Sequence, residues 1–96
     1  MTPKEIIALV EAELEVPLSF TSNEKEYVQA RHIAILMMHE EDYSHTRIGK
    51  ELNINRTTVY YALGQADRKL SISGNKEFKR RYLRCIKRMA DLEAQQ

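Results

Sequence analysis

The 96-residue chain has no tryptophan, one cysteine, three glycines and two prolines. Each shortage excludes something. The lone Cys85 rules out an internal disulfide and a cysteine-built zinc site, and it fits a reducing, cytoplasmic setting. So few glycines and prolines leave no long flexible linker and no low-complexity stretch. Gly49, Gly64 and Gly74 are scattered, so there is no glycine-rich phosphate loop. No apolar run approaches the roughly 18 residues that a membrane span needs. The start, Met1-Thr2-Pro3-Lys4-Glu5, lacks the basic and apolar regions of a secretory signal, so none is expected. The length predicts one domain, 1–96, with no room for a nucleotide-hydrolysing domain beside a second module.

What is present is charge, unevenly spread. Residues 1–45 hold 3 Lys or Arg against 9 Asp or Glu, whereas residues 46–96 hold 12 against 5. The formal net charge of +1 conceals this division. A basic half suggests a polyanion as partner; the plainer alternative is that the cations only solvate helix faces.

The pattern is helical throughout, and it predicts an all-α, compact bundle of about five helices. Thr2 can cap and Pro3 can open a first helix, with Ile6, Ile7, Val10 and Leu14 at helical spacing up to about Glu15. Val16-Pro17 stops it. Residues 16–22 read as a loop with Leu18 and Phe20 turned inward. Two capping boxes, Thr21 to Glu24 and Asn23 to Glu26, compete to start a second helix. That helix is expected to be central and the longest, ending near His39 or Glu40. Ser44 caps a short third helix through Leu52. Asn53-Ile54-Asn55 forms a tight turn, since asparagine tolerates the left-handed conformation. A fourth helix runs from Arg56 to about Leu70, and Asn55 can cap it. Asn75 caps a fifth that carries Phe78, Tyr82, Ile86, Met89 and Leu92 on one face.

The most informative stretch is 44–70. Two helices joined by three residues must cross steeply, which constrains residue size. Ile48, Leu52, Ile54, Val59 and Ala62 supply apolar positions, and Gly49 is small where the helices come closest. This is the signature of a helix-turn-helix, whose second helix lies in the DNA major groove. Asn55, Arg56 and Thr57 open that second helix. Arginine pairs bidentately with guanine, asparagine with adenine, and threonine meets thymine methyls or phosphates. Thr58, Tyr60 and Tyr61 are placed to reach phosphates. The alternative is a helical hairpin packed for structural reasons.

Ala30-Arg31-His32-Ile33-Ala34, then Ile48-Gly49, then Arg56-Thr57-Thr58-Val59, resembles the C-terminal DNA-binding domain of the bacterial replication initiator DnaA. That family reads Arg-Gln-x-Ala, Ile-Gly and Arg-Asp-His-Thr-Thr-Val. The likeness runs from Thr2 to Leu92. It implies a Trp-repressor-like helical bundle, a bacterial or phage source, and a role in replication or transcription control. Arg31 matches the arginine that enters the minor groove, where a narrow groove strengthens the attraction for a cation. Its alternative is a surface arginine paired with Glu24 or Tyr27. Asn55, Arg56 and Thr57 take the base-reading places, and Thr58 a place near the backbone. The family's Asp-His is Asn55-Arg56 here, the turn is one residue shorter, and the basic segment before the arginine is replaced by Thr21 to Glu26.

Lys76, Lys79, Arg80, Arg81, Arg84, Lys87 and Arg88 crowd the last helix. They can hold phosphates or simply solvate a face. No other chemistry assembles. His32 and His39 lie ~10 Å apart along a helix, too far to share a metal. Glu40-Glu41-Asp42 lacks the spacing of a calcium loop. Cys85 has no base within the sequence pattern; its arginine neighbours can lower its pKa, or it can be a small core residue. No cofactor, metal or small-molecule substrate is expected, nor an enzyme, nor a membrane partner. The expected partner is double-stranded DNA, and a replication or transcription protein is the further candidate. A dimeric transcriptional regulator and a protein-interaction adaptor that keeps the fold without DNA binding are the alternatives.

Overall fold

The first helix, α1 (Pro3–Leu14), begins as its sequence predicts. Thr2 Oγ1 accepts from the Glu5 amide at 3.2 Å, and the Thr2 amide donates to Glu5 Oε1 at 2.8 Å. This reciprocal pair satisfies two amides that the helix itself cannot. The helix ends at Glu15, which takes a left-handed conformation at φ 55°. The chain then returns along the helix. Val16 and Leu18 are buried, and the Leu18 amide donates to Glu11 Oε2 at 2.7 Å. The computed structural model describes residues 1–19, 22–71 and 75–95. Phe20 and Thr21 lie outside them, and with them the predicted packing of Phe20 and the Thr21 capping box.

Helix α2 (Lys25–Glu40) is the centre of the molecule and touches all four other helices. From Gln29 to Met38 every residue except Arg31 is buried. A helix enclosed this way has no solvated stripe, so its pattern reads only partly as amphipathic. Two expectations are corrected here. Glu24 precedes α2 and makes no side-chain cap, so the Asn23 to Glu26 box does not form; instead the Glu24 amide donates to Ser22 Oγ at 3.1 Å. Nor is α2 the longest helix. It spans 16 residues, and α5 (Lys76–Ala94) spans 19. Central position and length are separable, because an outer helix is limited only by where its stripe ends.

Between α2 and the next helix, Tyr43 donates its hydroxyl to the Met1 carbonyl at 2.7 Å, which ties the chain start to this turn. Helix α3 (His45–Leu52) is capped by Ser44 Oγ, which accepts from the Arg47 amide at 3.1 Å. Asn53 ends it at φ 57°, in the left-handed region. The Ile54 amide then reaches back to the Gly49 carbonyl at 2.8 Å. This back-bond satisfies a carbonyl left open at the helix end. Helix α4 (Arg56–Ser71) follows at once, buried along Val59, Ala62 and Ala66.

Asn75 caps α5 through Phe78 at 3.3 Å. The face predicted for α5 is the one that packs: Phe78 and Met89 are buried, and Tyr82, Ile86 and Leu92 lie against the core. The radius of gyration is 12.4 Å, close to the ~12.5 Å of a compact single domain of this length. The described residues contain five α-helices and no strand. No helix of the described residues is long and apolar enough to cross a membrane.

Candidate nucleic-acid interface

The turn between α3 and α4 is set by one close approach. A Cβ added to Gly49 would meet the Ile54 carbonyl oxygen at 2.6 Å and the Arg56 amide nitrogen at 3.5 Å. Any larger residue would push the turn away. Gly49 thus fixes where α4 begins. Here the sequence reading is sharpened: the glycine admits the backbone of the turn itself.

The first turn of α4 presents its polar residues outward. Asn55, Arg56, Thr57 and Thr58 are all exposed, whereas Val59 is fully buried and anchors the helix. Arg56 has no ion pair among the described residues. A shallow depression runs beside it, lined by Thr46, Lys50, Asn53 and Asn55. Asn55 does more than face solvent. Its Oδ1 accepts from the Thr57 amide at 2.8 Å. A bidentate contact to adenine uses that same oxygen, whose second lone pair stays open while the cap holds the side chain in place. Its NH2 group stays free to donate.

Arg31 lies apart from this cluster, half-buried on α2. Its Nη2 donates to the Ser22 carbonyl at 3.2 Å, and it pairs with neither Glu24 nor Tyr27. Asn55, Arg56, Thr57 and Thr58 therefore share one helix end, Tyr61 stands one turn further along, and Arg31 belongs to a different element.

Three of the seven basic residues of α5 are engaged. Arg84 and Arg88 both turn to Glu13 of α1, at 3.2 and 3.6 Å, and Arg81 pairs with Glu77 at 2.8 Å while donating to the buried Gln29. Lys76, Lys79, Arg80 and Lys87 are the stripe members without an ion pair among the described residues. The acidic first half and the basic second half thus meet inside the fold.

Cys85 is fully buried, and burial pushes its thiol up to about 11, with Glu13 adding to the effect and Arg84 opposing it. The suggestion that its arginine neighbours activate it is corrected: desolvation outweighs them. His32 is also buried, and its Nδ1 has no partner. Burial, then Lys69 and Arg31, push its pKa down to about 4. No group of three metal-ligating side chains occurs among the described residues.

One feature of this surface has only a faint trace in the sequence. His39, His45, Tyr60 and Tyr61 form a continuous row, with ring centroids 5.6, 6.3 and 6.1 Å apart in turn. The six-residue spacing of the two histidines hides their proximity, which arises only when the turn between α2 and α3 folds back. Tyr60 and Tyr61 were readable as exposed positions, but their neighbours were not.

No protein-family model matches the chain, and no solved structure matches it. What the fold and this surface define is an all-α five-helix domain whose fourth helix exposes its N-terminal turn.

Proposed function

We propose that this chain is a DNA-binding module, not an enzyme, and that α3, the turn and the start of α4 act as a helix-turn-helix on double-stranded DNA. The observation that carries the reading is the free head of α4. Arg56 is exposed and unpaired there, while three arginines of α5 are drawn into ion pairs. Residues 45–71 hold 5 Lys or Arg against 2 Asp or Glu, so this pair of helices keeps a positive surface of its own. The resemblance to the initiator's binding domain supports the same reading.

In this mechanism Arg56 contacts guanine O6 and N7 in the major groove, and Thr57 meets a thymine methyl or a phosphate. Thr58, Tyr61 and Lys50 hold the backbone. Asn55 is first a cap; its NH2 and the remaining lone pair of its oxygen are left to meet a base edge. Arg31 has donors beyond the one given to Ser22, and the resemblance assigns it the adjacent minor groove. The biological setting is replication or transcription control, with the cytoplasm as location.

Fluorescence anisotropy of labelled duplexes tests this. One duplex carries an initiator-type box and one is random, each at low and moderate salt. Binding that weakens steeply with salt is expected. Arg56→Ala is expected to cost about 1–3 kcal/mol and to narrow the gap between sequences. Absence of binding at low salt refutes the proposal and leaves the adaptor reading in its place.

A further inference from the structure

Beside the head of α4 lies a groove of about 560 Å³, of whose lining the duplex reading uses Tyr61 alone. His39, His45, Tyr60 and Tyr61 line it. The rings lean on one another at tilts of 45°, 57° and 73°, none of them stacked in parallel. Tyr60 and Tyr61 each keep 65% of their surface exposed. Exposed aromatic surface of this kind is costly to leave in water and marks contact sites. Gly64 adds a second observation. It sits within α4, where glycine weakens a helix by about 1 kcal/mol relative to alanine, yet nothing lies within 4 Å of where its Cβ would be. No packing need explains it, and it lines the same groove as the tyrosines.

We propose that this row of rings binds unpaired bases of single-stranded DNA, next to the duplex held by α3 and α4. The occupant follows from chemistry and position. Four rings with polar edges offer π-faces to any base without selecting a sequence. Arg56 lies beside the middle rings, His45 and Tyr60, and Arg68 lines the groove along α4, both cations suited to the phosphates of a passing strand. Asp67 is the one acid in the lining, and Arg68 adjoins it in sequence. His45 and Tyr60 line both this groove and the depression around Arg56 and Thr57, so a strand leaving the duplex meets the rings directly. The inference rests on the duplex interface proposed above.

Three labelled probes separate the two ideas: a blunt duplex, the same duplex with a single-stranded thymidine tail, and a thymidine homopolymer. Each is titrated with the wild-type chain, a Tyr60→Phe variant and a Tyr60→Leu variant, Tyr61 being left intact because the duplex reading uses it, after circular dichroism has shown all three folded. The tail is expected to tighten binding. The Phe variant keeps this gain, because it keeps the ring faces. The Leu variant loses it, by roughly fivefold to over a hundredfold per stacked base, with blunt-duplex binding unchanged. The proposal is overturned if the tail adds nothing, if Phe and Leu lose equally, or if Leu weakens the blunt duplex as much as the tailed one. It is also overturned if sedimentation shows the rings buried in a dimer that the Leu variant dissociates. Binding to the tailed probe and homopolymer without the blunt duplex would uphold the stacking and refute the duplex reading.

Discussion

Gly49→Ala and Gly64→Ala are the same chemical change at two helical glycines, and they are expected to have opposite effects. At position 49 the new methyl would stand 2.6 Å from the Ile54 carbonyl oxygen, which is backbone and cannot swing aside. Relief requires the turn to move outward. Overpacking costs about 1–3 kcal/mol, and against backbone this close the upper part applies, about 2–3 kcal/mol; the helix propensity gained returns about 1 kcal/mol. The net expectation is a loss of about 1–2 kcal/mol. For a domain of this size each kcal/mol moves Tm by about 4–8 °C, so the melting point falls by about 5–15 °C. At position 64 the methyl meets nothing within 4 Å, and only the propensity gain remains. That variant is expected to melt about 4–8 °C higher. Thermal unfolding followed by circular dichroism at one concentration reads both. The displaced turn in Gly49→Ala also carries Asn55 and Arg56 with it, so duplex affinity falls beyond what the population of folded protein explains. A Gly49→Ala protein as stable as the wild type would refute the account of the turn.

Three further perturbations test other parts of the structure. His32 is held neutral with a pKa of about 4 against an ordinary 6.5, so the unfolded chain takes up a proton that the folded chain refuses. Its effect is absent above about pH 6.5 and grows as pH falls, reaching about 2 kcal/mol of lost stability at pH 5; urea titrations at pH 7.5 and 5 should show this loss in the wild type and not in His32→Leu, and equal slopes would refute it. Cys85, buried and held at about 11, is expected to react with a disulfide reagent only as fast as the chain opens, so rapid stoichiometric labelling of the folded protein would contradict its placement. Asn55→Asp keeps the oxygen that caps α4 and should leave Tm nearly unchanged, whereas Asn55→Ala should cost about 1 kcal/mol; on duplex DNA the order reverses, the aspartate being worse because its charge faces phosphates.

The parts of this fold that were legible in the sequence are those decided within four residues. Thr2, Ser44, Asn55 and Asn75 all cap as their types and positions suggest, because a cap is a bond between neighbours. Asn53 takes the left-handed turn for the same local reason. Where the expectation failed, the cause lay further away. The capping box from Asn23 to Glu26 has suitable residues, but α2 starts at Lys25, where Ser22 engages the Glu24 amide. The burial of Gln29 and His32 is invisible in a periodicity, since Gln29 is satisfied by Arg81 from 52 residues away and His32 by nothing. The candidate site divides likewise. Its head, Asn55 to Thr58, is one contiguous stretch and was readable; the ring row joins α2, α3 and α4 and was not.

The division of charge between the chain's halves illustrates why a sum is a weak guide to a partner. Read as a tally, the basic half puts its greatest density in α5, which would make that helix the natural seat for a polyanion. In the fold, α1 packs against α5 and Glu13 draws Arg84 and Arg88 toward it. These pairs are partly exposed, so each stabilises the domain by less than about 1 kcal/mol, but they redirect the field. Cations held by carboxylates offer less to a phosphate than cations facing water. The smaller set on α3 and α4 then matters more: Lys50 and Arg56 flank the turn without a carboxylate partner among the described residues, and the helix dipole of α4 adds its positive end at the same place. With Arg81, Arg84 and Arg88 paired, α5 offers a phosphate the four cations Lys76, Lys79, Arg80 and Lys87, unpaired among the described residues, in place of all seven. The turn beside Arg56, with the helix dipole behind it, becomes a basic surface comparable to that helix where the tally made it minor.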